Sequence, residues 1–198
     1  MRLRIARIEP CIENEGPGKR FVIWVQGCRL RCPGCFNYGM WDLRGGFSIS
    51  VNALLRHIKA EKDIEGVTFL GGEPFLQVRA LSALAKKTQT AGLSVVTFTG
   101  YNYENLLKRG RHNKRLIKHT DILIDGEFIK SQKDFSRPWT GSSNQRYFFL
   151  SERYAGKKEE ILSAKNYLEI KIGEDGEIQI TGMGDAEELL KSLEKFNR

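Results

Sequence analysis

The stretch "QGCRLRCPGCFNYGMW", residues Gln26 to Trp41, contains three of the four cysteines of this chain, spaced as C-x3-C-x2-C. A structural zinc site needs four ligands, and neither the remaining cysteine nor any of the three histidines lies at the usual short spacing from the trio. Thiolates also hold iron–sulfur clusters, where three protein ligands leave one iron free to bind another group. The loop therefore favours a metal centre with an open coordination position, formed by Cys28, Cys32 and Cys35.

The composition is that of a globular protein with one core. At 198 residues, with 40% hydrophobic and 28% charged residues, the chain is long enough to bury that core without disulfides. It has no apolar run near the ~20 residues that a membrane-spanning helix needs, and its first residues lack the apolar segment of a signal peptide. We therefore expect a cytoplasmic protein with no membrane partner, a compartment where clustered cysteines bind metal or carry out redox chemistry.

The net charge of +8 is compatible with an acidic partner. Six basic residues and no acidic residue occupy positions 108–118. The first interpretation of this stretch is a solvated helix face, the second is a docking site for an acidic protein surface, and the third is a nucleic-acid site. Nucleic acid ranks last because the stretch lacks interleaved aromatic residues.

Apolar, β-branched runs alternate with stretches of helical periodicity over the first two thirds of the chain. The pattern predicts strands at 21–27, 66–72, 93–100 and 121–128, with helices between them, and Ser50 is the predicted N-cap of the first helix. This alternation is typical of an α/β fold with a parallel sheet, open or rolled toward a barrel. Because ligands bind beyond the carboxyl ends of such strands, the cysteine loop, "GGEP", "TFTGY" and "IDGEF" are expected to converge on one pocket.

The alternation stops after Phe128. A polar loop and the short strand "RYFFL" come next, and alternation around Glu174–Gly176 then predicts a β-hairpin. An amphipathic helix with Asp185 as N-cap closes the chain. We expect residues 1–150 to form the core that carries the cluster loop, and residues 151–198 to form a hairpin–helix extension packed on the same domain.

The motif "CRLRCPGC" resembles the signature of the radical S-adenosyl-L-methionine (SAM) superfamily, in which three cysteines hold a [4Fe–4S] cluster and SAM chelates the fourth iron. The surrounding elements narrow the resemblance to the activating-protein family of anaerobic ribonucleoside-triphosphate reductase. These elements are "GPGKRFVIWVQGC", "CPGCFN", Trp41, "GGEP", "FTGY", "LIDGEF" and "WTGSSNQ". The resemblance runs from Gly16 to about Gln145 and implies a partial (βα) barrel of the radical SAM type, followed by the C-terminal β-hairpin and helix extension.

The resemblance also implies which residues hold the cofactors. Cys28, Cys32 and Cys35 would be the metal ligands, and Cys35 and Gly34 would lie close to SAM. Gly34 lets the backbone of the loop approach the cluster and SAM. Phe36 packs against the adenine or shields the cluster, with ordinary core filling as the alternative.

Three strand ends complete the implied SAM site. Gly71 and Gly72 offer backbone groups to the amino group of SAM, while Glu73 accepts a hydrogen bond from that nitrogen or orders the loop. Thr99, with the nearby hydroxyls of "TFTGY", lies near the ribose, and Asp125 contacts SAM or an inserted loop of the partner. No catalytic side chain is expected beyond the cluster and SAM.

The implied activity is that of a radical SAM oxidoreductase, a glycyl-radical-enzyme activating enzyme. Flavodoxin or ferredoxin reduces the cluster, SAM is cleaved reductively, and the resulting 5′-deoxyadenosyl radical takes a hydrogen atom from one glycine of a partner enzyme. The implied partner is anaerobic ribonucleoside-triphosphate reductase, and related small activases act on other glycyl-radical enzymes such as pyruvate formate-lyase.

Two alternatives stay open from the sequence. One is a small radical SAM enzyme that acts on a small molecule, such as a 7-carboxy-7-deazaguanine synthase-like protein. The other is a basic, zinc-binding adaptor without catalysis, which explains the charge and the cysteines but leaves the convergence of the strand ends as coincidence.

Overall fold

The computed structural model describes residues 1–173, 176, 178–185 and 189, and within these residues it contains nine strands. They are β1 (Arg2–Ile12), β2 (Arg20–Val25), β3 (Phe47–Ser50), β4 (Gly66–Gly71), β5 (Ser94–Phe98), β6 (Ile122–Asp125), β7 (Arg146–Phe149), β8 (Leu168–Ile172) and β9 (Ile178–Gly182). The first seven form one mixed sheet in the order β3-β1-β2-β4-β5-β6-β7, and the last two form a separate hairpin.

Five helices are described; the first four cover one side of the sheet, and the fifth packs on the other side with Val96, Ile122 and Ile124. The helices are α1 (Val51–Ala60), α2 (Val78–Thr90), α3 (Tyr103–Lys108), α4 (Arg111–Lys118) and α5 (Lys158–Leu162), with short 3-10 turns at Tyr38–Met40, Pro74–Leu76, Lys130–Gln132 and Glu152–Lys157. The strands β2, β4, β5 and β6 are parallel, which is the arrangement that the alternating sequence predicts. The four predicted strands are therefore confirmed, and each is one to four residues shorter than predicted.

The predicted N-cap of the first helix is confirmed, and a glycine divides the basic stretch. The Ser50 side chain accepts a hydrogen bond from the backbone N–H of Ala53 at 3.1 Å, so it caps α1. Gly110, with φ of 95°, separates α3 from α4. An L-residue is strained at this dihedral angle, and glycine is not, so the basic stretch breaks there into two helices.

The two faces of the sheet are covered by different elements of the chain. Along β2, Ile23 and Val25 point to the side covered by α1, α2 and α4, while Val22 and Trp24 point to the other side. On that second side Trp24 packs with Leu70. The second face is thus left for the loops at the strand ends and for the C-terminal segments.

Strands β1 and β3 are absent from the sequence prediction. Both lie at one end of the sheet, where β1 pairs antiparallel with β2 on one side and with the edge strand β3 on the other. In β1 the charged residues alternate with Leu3 and Ile5, which are buried, so one face of the strand is solvated. Such alternation is typical of a half-buried antiparallel strand.

The barrel is not confirmed, and what the structure shows is a large mixed α/β sheet. Its end strands β3 and β7 pair with one neighbour each among the described residues, so the sheet does not close on itself there. The partial barrel stays a prediction.

The predicted C-terminal hairpin is confirmed and packs on the sheet. Asn14 donates to the Thr181 hydroxyl at 3.0 Å, the Gly182 N–H donates to Glu15 at 3.1 Å, and Lys171 pairs with Glu9 at 3.4 Å. These contacts support a hairpin docked beside β1. The predicted helix after Asp185 lies outside the described residues, and the domain boundary near residue 150 stays a prediction.

The basic stretch forms one side of a groove of about 620 Å³ between α2 and α4. Leu116 and Ile117 of α4 are buried, as the helix-face interpretation requires. The described residues that line the groove include five cations and no acid: Arg79, Lys86, Arg111, Arg115 and Lys118. Docking of an acidic partner there stays a prediction. In the described part of the chain, no helix has the length and apolar character needed to cross a membrane.

Candidate cluster and cofactor site

The carboxyl ends of all four parallel strands line one cavity of about 140 Å³. The cysteine loop after β2 supplies Cys28, Cys32 and Cys35. The ends of β4, β5 and β6 supply 71–73, 98–100 and 126–128. The predicted convergence of the cysteine loop, "GGEP", "TFTGY" and "IDGEF" is therefore observed as a single site.

Backbone hydrogen bonds fold the cysteine loop back on itself. The N–H groups of Gly27 and Cys28 donate to the carbonyls of Met40 and Trp41 at 2.9 and 3.2 Å, which joins the two ends of the loop. Between them the Cys35 N–H donates to the Cys32 carbonyl at 3.1 Å. The loop is thus closed at its base and tightly turned between its second and third cysteines.

The three thiols lie close enough together to influence one another. Burial raises the pKa of the Cys32 thiol, and negative charge on Cys35, Glu127 or Cys28 raises it further. Burial also raises the pKa of Cys35, where charge on Cys28 adds to the effect. Three neighbouring thiolates therefore need a positive partner to be stable, and a bound metal centre supplies one.

The surroundings of Cys35 fit a cluster ligand. The buried indole N–H of Trp41 has no acceptor within hydrogen-bond distance among the described residues. It lies beside the Cys35 thiol nevertheless, and its donor character opposes the rise in the pKa of that thiol. A thiolate that ligates a cluster is an acceptor for such a donor.

Within the described residues, no group of three His, Cys, Asp or Glu side chains is arranged to hold a single metal ion. An iron–sulfur cluster distributes its thiolate ligands over separate irons, so its ligands need not meet at one point. The fourth cysteine, Cys11, is exposed in β1 and does not line the cavity. The donor set thus fits a cluster held by three thiols.

Gly71 and Gly72 bring β4 against β2 where the cysteine loop begins. A Cβ on Gly72 would lie 2.5 Å from the Gly27 carbonyl oxygen, and one on Gly71, whose φ is +100°, would lie 2.8 Å from Cα of Trp24. The Gly72 N–H donates to the Val25 carbonyl at 2.8 Å. Both glycines are therefore required by close backbone approach, and both line the cavity.

Glu73 joins the end of β4 to the end of β5. Its side chain is only 1% exposed, and it accepts hydrogen bonds from the Phe75 N–H, the Thr99 hydroxyl and the Gly100 N–H, each at 2.9 Å. Of the two predicted roles, these contacts support loop ordering. Burial raises the pKa of Glu73 to about 7, against the lowering effect of its three donors.

The raised pKa of Glu73 predicts a pH dependence of stability. The folded value of about 7 exceeds the ordinary value of 4.5, so the folded state binds more protons between these values and its free energy of unfolding falls as pH rises through that window. In Glu73→Gln, the decrease in the free energy of unfolding over this pH window should be smaller than in wild type, by about 3 kcal/mol at most. Urea unfolding of the apo-protein at several pH values measures it, with the exposed Glu159→Gln as control. Parallel profiles for wild type and Glu73→Gln would contradict the assignment.

The hydroxyls of "TFTGY" separate into different environments. Thr99 lines the cavity, where its hydroxyl bonds to Glu73. Thr97 points elsewhere and shares a 3.0 Å hydrogen bond with Thr120, and the Tyr101 ring lies 4.1 Å from the guanidinium carbon of Arg109. Only Thr99 is thus placed where the prediction needs a hydroxyl.

Asp125 is fully buried beside the cavity but is not part of its lining. Its carboxylate accepts the Tyr103 N–H at 2.7 Å and two bonds from the Arg146 guanidinium at 3.0 and 2.5 Å. These contacts attach α3 and β7 to the end of β6. Contact of Asp125 with SAM stays a prediction, and the next residues, 126–128, line the cavity in its place.

Phe36 and Gly34 lie on the outer side of the cysteine loop. Phe36 is 47% exposed, which contradicts core filling, and its ring meets Phe135 edge-to-face at 6.4 Å. Gly34 has φ of +79° and faces Phe128 and Lys130. Neither residue lines the cluster cavity, and both line a neighbouring cavity of about 320 Å³ that also includes Cys35.

Several lining residues were not named individually from the sequence, although all of them except Leu70 and Met183 lie in the quoted motifs. They are Leu30, Asn37, Leu70, Phe98, Gly100, Gly126, Glu127, Phe128, Gln145 and Met183. Gly100 illustrates the reason. A Cβ there would lie 2.3 Å from a methyl group of Leu30 in the cysteine loop, and this contact exists only in the folded chain. The sequence signals for Gly100 were its place in "TFTGY" and its position directly after an apolar strand.

The known proteins that resemble this chain match the same part of it, the part that carries the cavity. Residues 14–148 match the family described as a 4Fe-4S single cluster domain. The anaerobic ribonucleoside-triphosphate reductase-activating protein of Enterobacteria phage T4 is 33% identical over 147 residues, 71% of this chain and 90% of that protein. The pyruvate formate-lyase-activating enzyme of Clostridium pasteurianum is 34% identical over 127 residues, 61% of this chain and 50% of that protein.

The chain therefore belongs to the radical SAM activating-enzyme family. Among solved structures, QueE from Escherichia coli covers 61% of this chain and 69% of its own at 16% identity, with a TM-score of 0.44. A likeness at that level is too weak to add to the description of fold or function.

Proposed function

We propose that this protein is the activase of a glycyl-radical enzyme, with anaerobic ribonucleoside-triphosphate reductase as its partner. The observation that carries the proposal is the single cavity in which three thiols meet the "GGEP" turn and the ends of two further parallel strands. The match of residues 14–148 to a 4Fe-4S domain and the names of the relatives support it.

Cys28, Cys32 and Cys35 would hold a [4Fe–4S] cluster, and the strand ends beside them would hold SAM. When bound, this pair supplies the chemistry: an electron passed through the cluster cleaves SAM reductively, and a hydrogen atom is taken from a glycine of the partner. The glycine is left as a radical, and SAM is converted to methionine and 5′-deoxyadenosine. Flavodoxin or ferredoxin is the proposed source of the electron.

The residues of this chain position and protect the reacting groups. Glu73 ties the glycine turn after β4 to Thr99 and Gly100, so two walls of the cavity are fixed relative to each other. The apolar side chains of Leu30, Leu70 and Phe98 line the same cavity and limit water in it. A preorganised, partly dry site is what a cofactor-dependent radical reaction requires of its protein.

Radical transfer to the reductase tests the proposal. The anaerobically reconstituted protein is incubated with SAM, dithionite and the purified reductase of the organism that encodes this chain. We expect the EPR doublet of a glycyl radical in the reductase and none when SAM is left out. Pyruvate formate-lyase serves as the second target. Cleavage of SAM without a radical in the reductase would overturn the choice of partner.

A further inference from the structure

A second cavity, of about 250 Å³, lies between the sheet and the β8–β9 hairpin. Glu15 and Trp24 line it together with Ile180 and Gly182 of β9. Asn37, Leu70 and Met183 line both this cavity and the cluster cavity. The two cavities therefore adjoin, and a ligand in the second would extend toward the cluster.

Glu15 carries an unused acceptor in this cavity. The residue is 3% exposed, and one carboxylate oxygen, Oε1, accepts the Gly182 N–H at 3.1 Å. The other oxygen, Oε2, is buried without a hydrogen-bond partner among the described residues. A buried carboxylate oxygen without a donor is rare in native proteins, and it points to a donor that a ligand brings.

The rest of the lining suits a ligand with an apolar surface. The Trp24 indole lies across from the hairpin, with the Arg7 guanidinium carbon 4.1 Å from its ring centre. Leu70 and Leu168 add aliphatic contact. The site therefore combines apolar walls with one directed acceptor, as specific binding pockets usually do.

We propose that this cavity receives an extended peptide segment of the partner enzyme, the one that carries its reactive glycine, and that a backbone N–H of that segment donates to Oε2 of Glu15. The inference rests on the proposed function. An extended peptide supplies the N–H donor and a narrow backbone, and the adjoining cavities let its glycine approach the cluster. The β8–β9 hairpin would then take part in recognition of the partner enzyme.

The position of the hairpin in the chain favours this assignment. The family match ends at residue 148, and both strands of the hairpin follow it, at 168–172 and 178–182. The wall formed by Ile180 and Gly182 thus lies outside the matched part of the chain. A wall outside the common core is suited to distinguish one partner from another.

Glu15→Gln tests the acceptor directly. The Gly182 N–H needs an acceptor, so the glutamine oxygen turns toward it and the amide NH2 replaces Oε2 in the cavity. The substitution thus replaces an acceptor oxygen with a donor group and changes the shape of the side chain little. The probe is a synthetic peptide of the glycine-bearing loop of the reductase, titrated by calorimetry into the reconstituted holoenzyme. Burial raises the pKa of Glu15 to about 7, so the titration is done above that pH, where the side chain is an ionised acceptor. Loss of its charge-assisted hydrogen bond should then weaken binding about tenfold or more.

Lys171→Ala is the matched control, because Lys171 ties the hairpin to Glu9 without lining the cavity. Its peptide affinity should stay within about twofold of wild type, as expected for a partly exposed ion pair. Equal peptide affinity in wild type and Glu15→Gln, equal losses in both variants, or a loss of SAM affinity matching that of the peptide would each overturn the inference. A wild type that cleaves SAM but binds no peptide overturns it too, while leaving the radical chemistry of the proposed function intact.

Discussion

Replacement of any one of Cys28, Cys32 or Cys35 by alanine is expected to abolish cluster binding and SAM cleavage. Each thiol lines the same cavity, and each is one of only three protein ligands proposed for the cluster. Loss of a residue that merely supports a metal ligand already costs 10–100-fold, so loss of a ligand should lower activity by more than about 100-fold. Iron and sulfide content after anaerobic reconstitution, together with release of 5′-deoxyadenosine, measures the effect.

Cys11→Ala is the control for all three variants. Cys11 is exposed in β1 and does not line the cavity, so its loss removes a thiol without touching the proposed site. Iron content and SAM cleavage should match wild type. Loss of the cluster in Cys11→Ala alone, or a full cluster in any of the other three variants, would show that the ligand assignment is wrong.

Gly72→Ala should damage cluster binding and SAM cleavage together. A Cβ at this position meets three backbone atoms, the Gly27 oxygen at 2.5 Å and the Gly27 carbon and Val25 oxygen at 2.9 Å. Backbone atoms cannot rotate away, so β4 must shift from β2 at the point where the cysteine loop starts. Because small displacements at a reacting centre are costly, we expect a loss of about tenfold or more in 5′-deoxyadenosine formation.

Gly39→Ala is the matched control for Gly72→Ala. Gly39 lies inside the cysteine loop, and a Cβ there meets nothing within 4 Å. The variant should keep its iron content and its rate of SAM cleavage. Wild-type behaviour of Gly72→Ala in both assays would refute the idea that close packing of the "GGEP" turn positions the loop.

The parts of the fold predicted from sequence are those with a strong local pattern. The parallel strands are continuous apolar runs ended by glycine or an acid. The helices have apolar periodicity, and α1 also has a side-chain cap at Ser50. β1 escaped prediction because its charged residues on one face resemble a solvated terminus. Its identity as a strand depends on pairing with β2, for example Ile8 with Ile23, and that pairing is tertiary information.

Prediction of the site was also limited to what local sequence patterns reveal. The cysteine loop is local in the sequence, and the strand ends follow from the fold class, so their convergence could be inferred. Asp125 was predicted to contact SAM or an inserted loop of the partner because a buried acid at a strand end is unusual, and that contact stays a prediction. The ion pair of Asp125 with Arg146, across the β6–β7 pairing, was not predicted because no local pattern reveals it. The hairpin cavity depends likewise on the contact of Glu15 with Gly182, 167 residues apart.

The most direct test of the account is EPR of the anaerobically reconstituted, reduced protein, recorded with and without SAM. Three cysteine ligands leave one iron open, so we predict a [4Fe–4S]⁺ signal whose shape changes when SAM is added. A cluster signal indifferent to SAM would contradict an open iron and indicate a fourth protein ligand. Zinc in place of iron would contradict the radical SAM assignment altogether.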